Sequence, residues 1–141
     1  MKLEGEQTLL RVYLRNTDKY GWSSADDTLV GRAKTKKLAG ATVLRGIMGL
    51  DVTGQMLESG SWSLVEHVPL IVEIVDHPHN IGAFLVDVDE ILPEGLATLE
   101  RAHVLVYRHN RAAADKAAMR LEIPGPVTPL STLPSSCHEA E

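Results

Sequence analysis

The chain has 141 residues, the length of one domain and enough to bury roughly two thirds of its unfolded surface without disulfides or metals. Lys and Arg number 14 against 19 Asp and Glu, and the net charge of -5 argues against a nucleic-acid-binding face; six aromatic residues are few for a base-stacking platform. A single cysteine, Cys137, closes no internal disulfide, the opening MKLEGEQT lacks an apolar signal segment, and the longest apolar stretch, VPLIVEIV at 68–75, is too short to span a bilayer, so a cytoplasmic location is expected.

The predicted elements alternate in period. TLLRVYLR (8–15) sets Leu10, Val12 and Leu14 against Leu9, Arg11 and Tyr13, a period-2 strand. Residues 24–38 predict a helix, with Ser23 or Ser24 as N-cap, Asp26 and Asp27 in the first turn, Lys34, Lys36 and Lys37 in the last, and Gly40 just beyond. ATVLRGIMG (41–49) reads as one β-branched strand. Residues 50–66 have no sustained periodicity and read as a long loop, and connections of that length are usually functional. VPLIVEIVD (68–76) is the most strand-like run. HPHNIGAFLVDVDEIL (77–92) places Ile81, Phe84, Leu85, Val88 and Leu92 at helical spacing, and LATLERAHVLVYR (96–108) reads as a long final strand. The composition then changes. Residues 110–123 are Ala-rich and helix-capable, and 124–141 carry too much proline and too little apolar content to order themselves. The folded core is expected over about 7–109.

The order β-α-β-β-α-β is that of a ferredoxin-like α+β fold. Right-handed crossovers place the first and third strands at the sheet centre and both helices on one face. Leu10, Val12 and Leu14 should face the helices. Leu9, Arg11, Tyr13 and Arg15 should face away, together with Ile71, Glu73 and Val75, because that choice sets Glu73 across from Arg11 or Arg15. The last strand adds one of two mixed sets, such as Leu99, Arg101 and His103. The uncovered face is then amphipathic, either a solvated surface or the interface of a closed homo-oligomer.

No GxGxxG, P-loop, HExxH, CxxC or GxSxG motif occurs. His77 and His79, flanking Pro78 beside Asp76, are the metal-ligand candidates, but no third ligand stands near; Pro78 suits a first helical turn and Asp76 suits a cap. Asp87, Asp89 and Glu90 are expected on a solvated helix face rather than in acid–base work. In GATVLRGIMG (40–49), Gly46 and Gly49 let backbone approach a ligand closely, with the Arg45 guanidinium one residue away.

LRVYLRNTDKY (10–20), LAGATVLRGIMG (38–49), PLIVEIVD (69–76) and EGLATLERAHVLVYR (94–108) resemble the PII-like family catalogued as domain of unknown function 190, related in fold to the PII nitrogen-regulatory signalling proteins. The likeness covers about residues 3–109. It implies a PII-like ferredoxin-like subunit, a homotrimer, and an adenine nucleotide (AMP, ADP or ATP) or similar metabolite bound between subunits, with no catalysis and no required cofactor. By similarity Thr42 matches the threonine of a Gly-x-Thr-Val segment, and Gly46, Ile47, Met48 and Gly49 lead into a signalling loop at 50–66. Glu94, Gly95 and Leu96 take the place of a phosphate-contacting loop. Arg45, Arg108 and Lys19 are the candidate cations. The sequence departs from the family in the loop stretch QMLESGSWSLVEH, which holds no Arg or Lys, and at Glu94-Gly95-Leu96-Ala97, which holds no cation. Two other readings stay open. One is a metal-responsive trimer using His77 and His79; the other is an accessory protein that docks on a membrane transporter through the loop around Trp62.

Overall fold

The structure is a computed structural model that describes residues 3–60 and 65–108. The chain divides into two units, Met1–His109 and Asn110–Glu141, and the described elements belong to the first. The Ala-rich stretch, the proline-rich tail with Cys137, and Trp62 lie outside the described residues.

Among the described residues eight strands and two helices follow in the order β1 (Gly5–Arg15), β2 (Lys19–Tyr20), β3 (Ser23–Ser24), α1 (Ala25–Thr35), β4 (Thr42–Arg45), β5 (Met48–Leu50), β6 (Met56–Glu58), β7 (Pro69–Asp76), α2 (Pro78–Ile91) and β8 (Leu96–Val104). The main sheet is ordered β4-β7-β1-β8 and every neighbouring pair is antiparallel. The first and third long strands are therefore central, as the ferredoxin-like α+β order requires. The short β2–β3 and β5–β6 pairs stand outside the main sheet.

Alternation along the central strands decides which face is covered. Leu10, Val12 and Leu14 from β1 meet Leu70, Val72 and Ile74 from β7 under both helices. From α1 come Ala25, Leu29 and Ala33, and from α2 Ile81, Phe84, Val88 and Ile91. These thirteen residues form one buried cluster. Arg11 pairs with Glu73 in register on the opposite face, and its Nε donates to the Glu73 carboxylate at 2.7 Å. A second carboxylate, Glu100, meets the same guanidinium from β8.

Asp76 is fully buried, and hydrogen bonds from three donors make that tolerable. Its carboxylate accepts from the backbone N–H of His77 at 2.6 Å, from Asn80 Nδ2 at 2.8 Å and from the backbone N–H of Ala39 at 2.8 Å. It does not cap α2, whose N-cap is His77, but it steadies the residue before the helix, where Pro78 needs no hydrogen-bond partner, and ties the α1–β4 connection to β7.

Several expectations are corrected. The single strand over 41–49 breaks into β4 and β5, because Gly46 turns its N–H onto the Pro69 carbonyl at 2.8 Å and Met48 then pairs with Glu58. The stretch 50–66 is not a loop throughout. Asp51 folds its start, accepting at one carboxylate oxygen from the Thr53 N–H at 2.9 Å, the Thr53 hydroxyl at 2.6 Å and the Gln55 N–H at 2.9 Å, and so closes a β5–β6 hairpin. The final strand ends at Val104. Leu99 pairs with Leu10 and Arg101 with Thr8, so Leu99, Arg101 and His103 share the helix side of the sheet, and Leu96, Thr98 and Glu100 share the open face. Ser24 is the N-cap of α1 but makes no side-chain cap bond.

The acidic residues of α2 are not uniformly solvated. The side chain of Asp87 is only 7% exposed, and it accepts from Arg32 Nη1 at 2.9 Å, on α1, and meets Lys36, the C-cap of α1, as well. Glu90 accepts from Arg32 at 2.7 and 3.0 Å and from the Tyr20 hydroxyl. Asp89 is exposed as expected. Periodicity placed these carboxylates on one helix face but could not show that a second helix, with its own cations, packs against it. Burial pushes the Asp87 carboxyl up, yet Lys36 and Arg32 outweigh it and hold it below the usual range. Arg32 first, and Tyr20 second, hold Glu90 down to about 2.

Candidate functional site

One end of the sheet gathers the end of β1, the start of β7, the root of the β5–β6 hairpin and the turn between α2 and β8. Two glycines there sit in close approach to a proline. A Cβ on Gly46 would stand 2.6 Å from Pro69 Cγ, and one on Gly49 3.1 Å from the same atom. The nearest neighbour of this glycine pair is therefore a proline of the same chain. Gly95 is required by its backbone, with φ of +147°, and a Cβ there would meet the Tyr13 carbonyl at 2.8 Å. Only glycine allows β8 to start this close to β1.

The hairpin has two different faces. Leu57, opposite Gly49, is 2% exposed and packs inward. Met48, Leu50 and Met56 are 59%, 67% and 54% exposed, and Ile47 beside them is 80% exposed. Beneath the hairpin lies a cavity of about 140 Å³ lined by Leu14, Leu50, Leu57, Leu70, Pro69 and Leu96. Its polar wall is Arg15, which meets Asp18 at 2.9 Å, Asp51 at 3.3 Å and Glu94 at 3.3 Å. The Asp51 carboxyl is held below its usual range, first by the Thr53 hydroxyl and then by the Gln55 N–H.

A second, more open cavity of about 410 Å³ lies along the β4–β7 edge, lined by Gly40, Thr42, Glu73, Val75, Val104 and Tyr107. The Tyr107 hydroxyl donates to the Ala39 carbonyl at 3.0 Å and closes one side of it.

The residues singled out from sequence fall into separate places within the chain. Thr42 lines the open cavity, with Tyr107 and the exposed Arg108 following β8 at that end. Gly46 and Gly49 pack on Pro69, while Ile47 and Met48 are exposed. Glu94, Gly95 and Leu96 line the smaller cavity. Arg45 pairs with Glu66, which also accepts from the Ser59 hydroxyl at 2.8 Å. Lys19 is exposed on β2. His77 is the N-cap of α2 and His79 is exposed in its first turn; among the described residues no group of three His, Cys, Asp or Glu is placed to hold a metal ion. Sequence reasoning missed the grouping of Arg15 with Asp18, Asp51 and Glu94. Part of its signal was present: Asp18 stands three residues from Arg15, and Asp51 opens an Asp-x-Thr-Gly turn, but only the fold adds Glu94.

A family model matches residues 7–104, that of DUF190, described as Uncharacterized ACR. This chain belongs to the DUF190 family. It is 31% identical over 100 residues to a UPF0166 protein of Aquifex aeolicus (strain VF5), covering 71% of this chain and 94% of that one. It is 32% identical over 97 residues to a UPF0166 protein of Methanocaldococcus jannaschii, covering 68% and 89%. Among solved structures it is similar to CPII, a nitrogen regulatory PII-like protein from Thiomonas intermedia K12, bound to ADP, AMP and bicarbonate. That likeness has a TM-score of 0.55 at 15% identity and covers 73% of this chain and 90% of the other. This DUF190 protein is therefore PII-like in fold. Among its described residues no helix is long and apolar enough to cross a membrane.

Proposed function

We propose that this DUF190 protein is a cytoplasmic, homotrimeric regulatory protein that binds an adenine nucleotide or similar small metabolite between subunits and signals through residues 50–66. The observation that carries the reading is the β5–β6 hairpin. It rises beside a cavity on a PII-like fold, one face packed inward through Leu57 and the other offering Met48, Leu50 and Met56 to solvent. An outward apolar patch of this kind suits a partner surface. The amphipathic open face of the sheet, with the Arg11–Glu73–Glu100 cluster among Leu9, Tyr13 and Ile71, suits self-association. The nucleotides in the CPII structure support an adenine ligand of the AMP or ADP class.

In this reading Thr42 and the backbone from Gly46 to Gly49 come from one subunit. Glu94 to Leu96 close the cleft, and Lys19, Arg45 and Arg108 are the cations. The role is regulatory rather than catalytic. Light scattering on the purified protein should give the mass of a trimer. Calorimetric titration with AMP, ADP, ATP and cyclic AMP should give saturable heat with at least one of them. No heat with any of the four at millimolar concentration removes the nucleotide from the proposal, and a monomeric mass removes the inter-subunit site.

A further inference from the structure

We propose that Arg15 is a clamp that holds the β5–β6 hairpin down on the sheet, and that an anionic group reaching Arg15 releases it. The guanidinium stands at the end of β1 and joins three segments distant in sequence. Asp18 belongs to the turn after β1, Asp51 to the tip of the hairpin, and Glu94 to the turn between α2 and β8.

The three arms are not equal. Asp18 is the fixed one. One of its oxygens accepts from the Arg15 backbone N–H at 2.7 Å, and the other accepts from Nε at 2.9 Å. Asp51 and Glu94 are both held at 3.3 Å and are the arms that can yield. Among the described residues the Asp51–Arg15 pair is the polar link from the tip, 51–55, to the rest of the subunit. Nearer the root, the hairpin is anchored by Gly46 and by Leu57, so freeing the tip does not detach the whole element.

Charge fixes what an incoming anion must compete with. One guanidinium faces three carboxylates, leaving two negative charges in excess around the 140 Å³ cavity. The Asp51 side chain is only 7% exposed, so its pair with Arg15 is largely sheltered, whereas Glu94 is 55% exposed and its pair is screened and weak. A phosphate or carboxylate that pairs with Arg15 through the Nη groups competes there with Asp51 and Glu94, because Nε already serves Asp18. Anion binding and hairpin docking then oppose each other, and each weakens the other by the same factor. The use of this clamp as a relay rests on the regulatory reading above; the clamp itself does not.

Hydrogen exchange on the full chain tests it. Asp51→Asn keeps an oxygen for the Thr53 and Gln55 donors but removes the charge facing Arg15. Peptides spanning 48–58 should exchange about tenfold faster in D51N, with peptides spanning 8–14 and 70–76 unchanged. R15Q should reproduce the effect; if it also loosens 8–14, D51N alone decides. Inorganic pyrophosphate at matched ionic strength should speed exchange at 48–58 in the wild type and not in D51N. Hairpin exchange in D51N within twofold of wild type overturns the clamp. Pyrophosphate acting no differently from sodium chloride overturns release by anions. Both readouts are independent of whether AMP or ADP binds.

Discussion

Gly46→Ala separates two explanations for a glycine at the root of the hairpin. If Gly46 exists so that a ligand can approach the backbone, alanine leaves stability intact and lowers ligand affinity. The structure supports a different cause. The added methyl would stand 2.6 Å from Pro69 Cγ and 3.3 Å from the Pro69 carbonyl oxygen. A proline ring can shift Cγ only through its pucker, and the hydrogen bond from the Gly46 N–H to that carbonyl, at 2.8 Å, holds the two backbones together. Relief requires β4 and β7 to part locally, so the cost should fall in the range of overpacked cores, about 1–3 kcal/mol. Gly49→Ala, at 3.1 Å from the same ring, should cost less, about 1 kcal/mol or under. Gly31→Ala is the control: it sits inside α1 with nothing within 4 Å, and should stabilise by roughly 0.5–1 kcal/mol. Urea titration at unchanged slope measures all three. The decisive step is a double-mutant cycle with Pro69→Ala, which removes Cγ and should recover about 1–2 kcal/mol of the G46A cost. If G46A is as stable as wild type, or costs the same with and without Pro69, the steric argument is wrong.

Three further outcomes are expected. Asp76→Ala strands three donors, at His77, Asn80 and Ala39, in a fully buried place, and should cost about 3 kcal/mol or more in urea unfolding. Glu90→Gln reads the interhelix network through pH. A carboxyl lowered from 4.5 to about 2 contributes stability that is present above 4.5 and lost as pH falls through 2. The stability gap between wild type and E90Q should therefore be full at neutral pH and close between those two values; a gap independent of pH would refute the assignment. Arg11→Glu places a third carboxylate beside Glu73 and Glu100 on the open face and should shift the light-scattering mass toward monomer, while an unchanged mass would place the self-association surface elsewhere.

The sequence by itself determined the layer arrangement. Period-2 alternation split 8–15 and 68–76 into two faces each, and setting Glu73 across from Arg11 or Arg15 chose the face of 68–76 that turns from the helices; the structure makes Arg11 the partner. Both are local properties of a strand, and the structure bears them out. Helix ends were likewise legible to within a few residues, because caps and end charges are written into the chain. What the sequence could not show was every grouping made by packing elements far apart in the chain. Asp87 and Glu90 look solvated until α1 supplies Arg32 and Lys36. Gly46 and Gly49 show no neighbour in the sequence, and only the fold stands Pro69 against them. Asp51 and Glu94 are 43 positions apart and meet only because β1 delivers Arg15 between them. The composition pointed to an acidic domain. The tertiary structure decided that near the hairpin the acidity is spent on a single arginine, because charges pair by distance in space, and only the fold sets that distance.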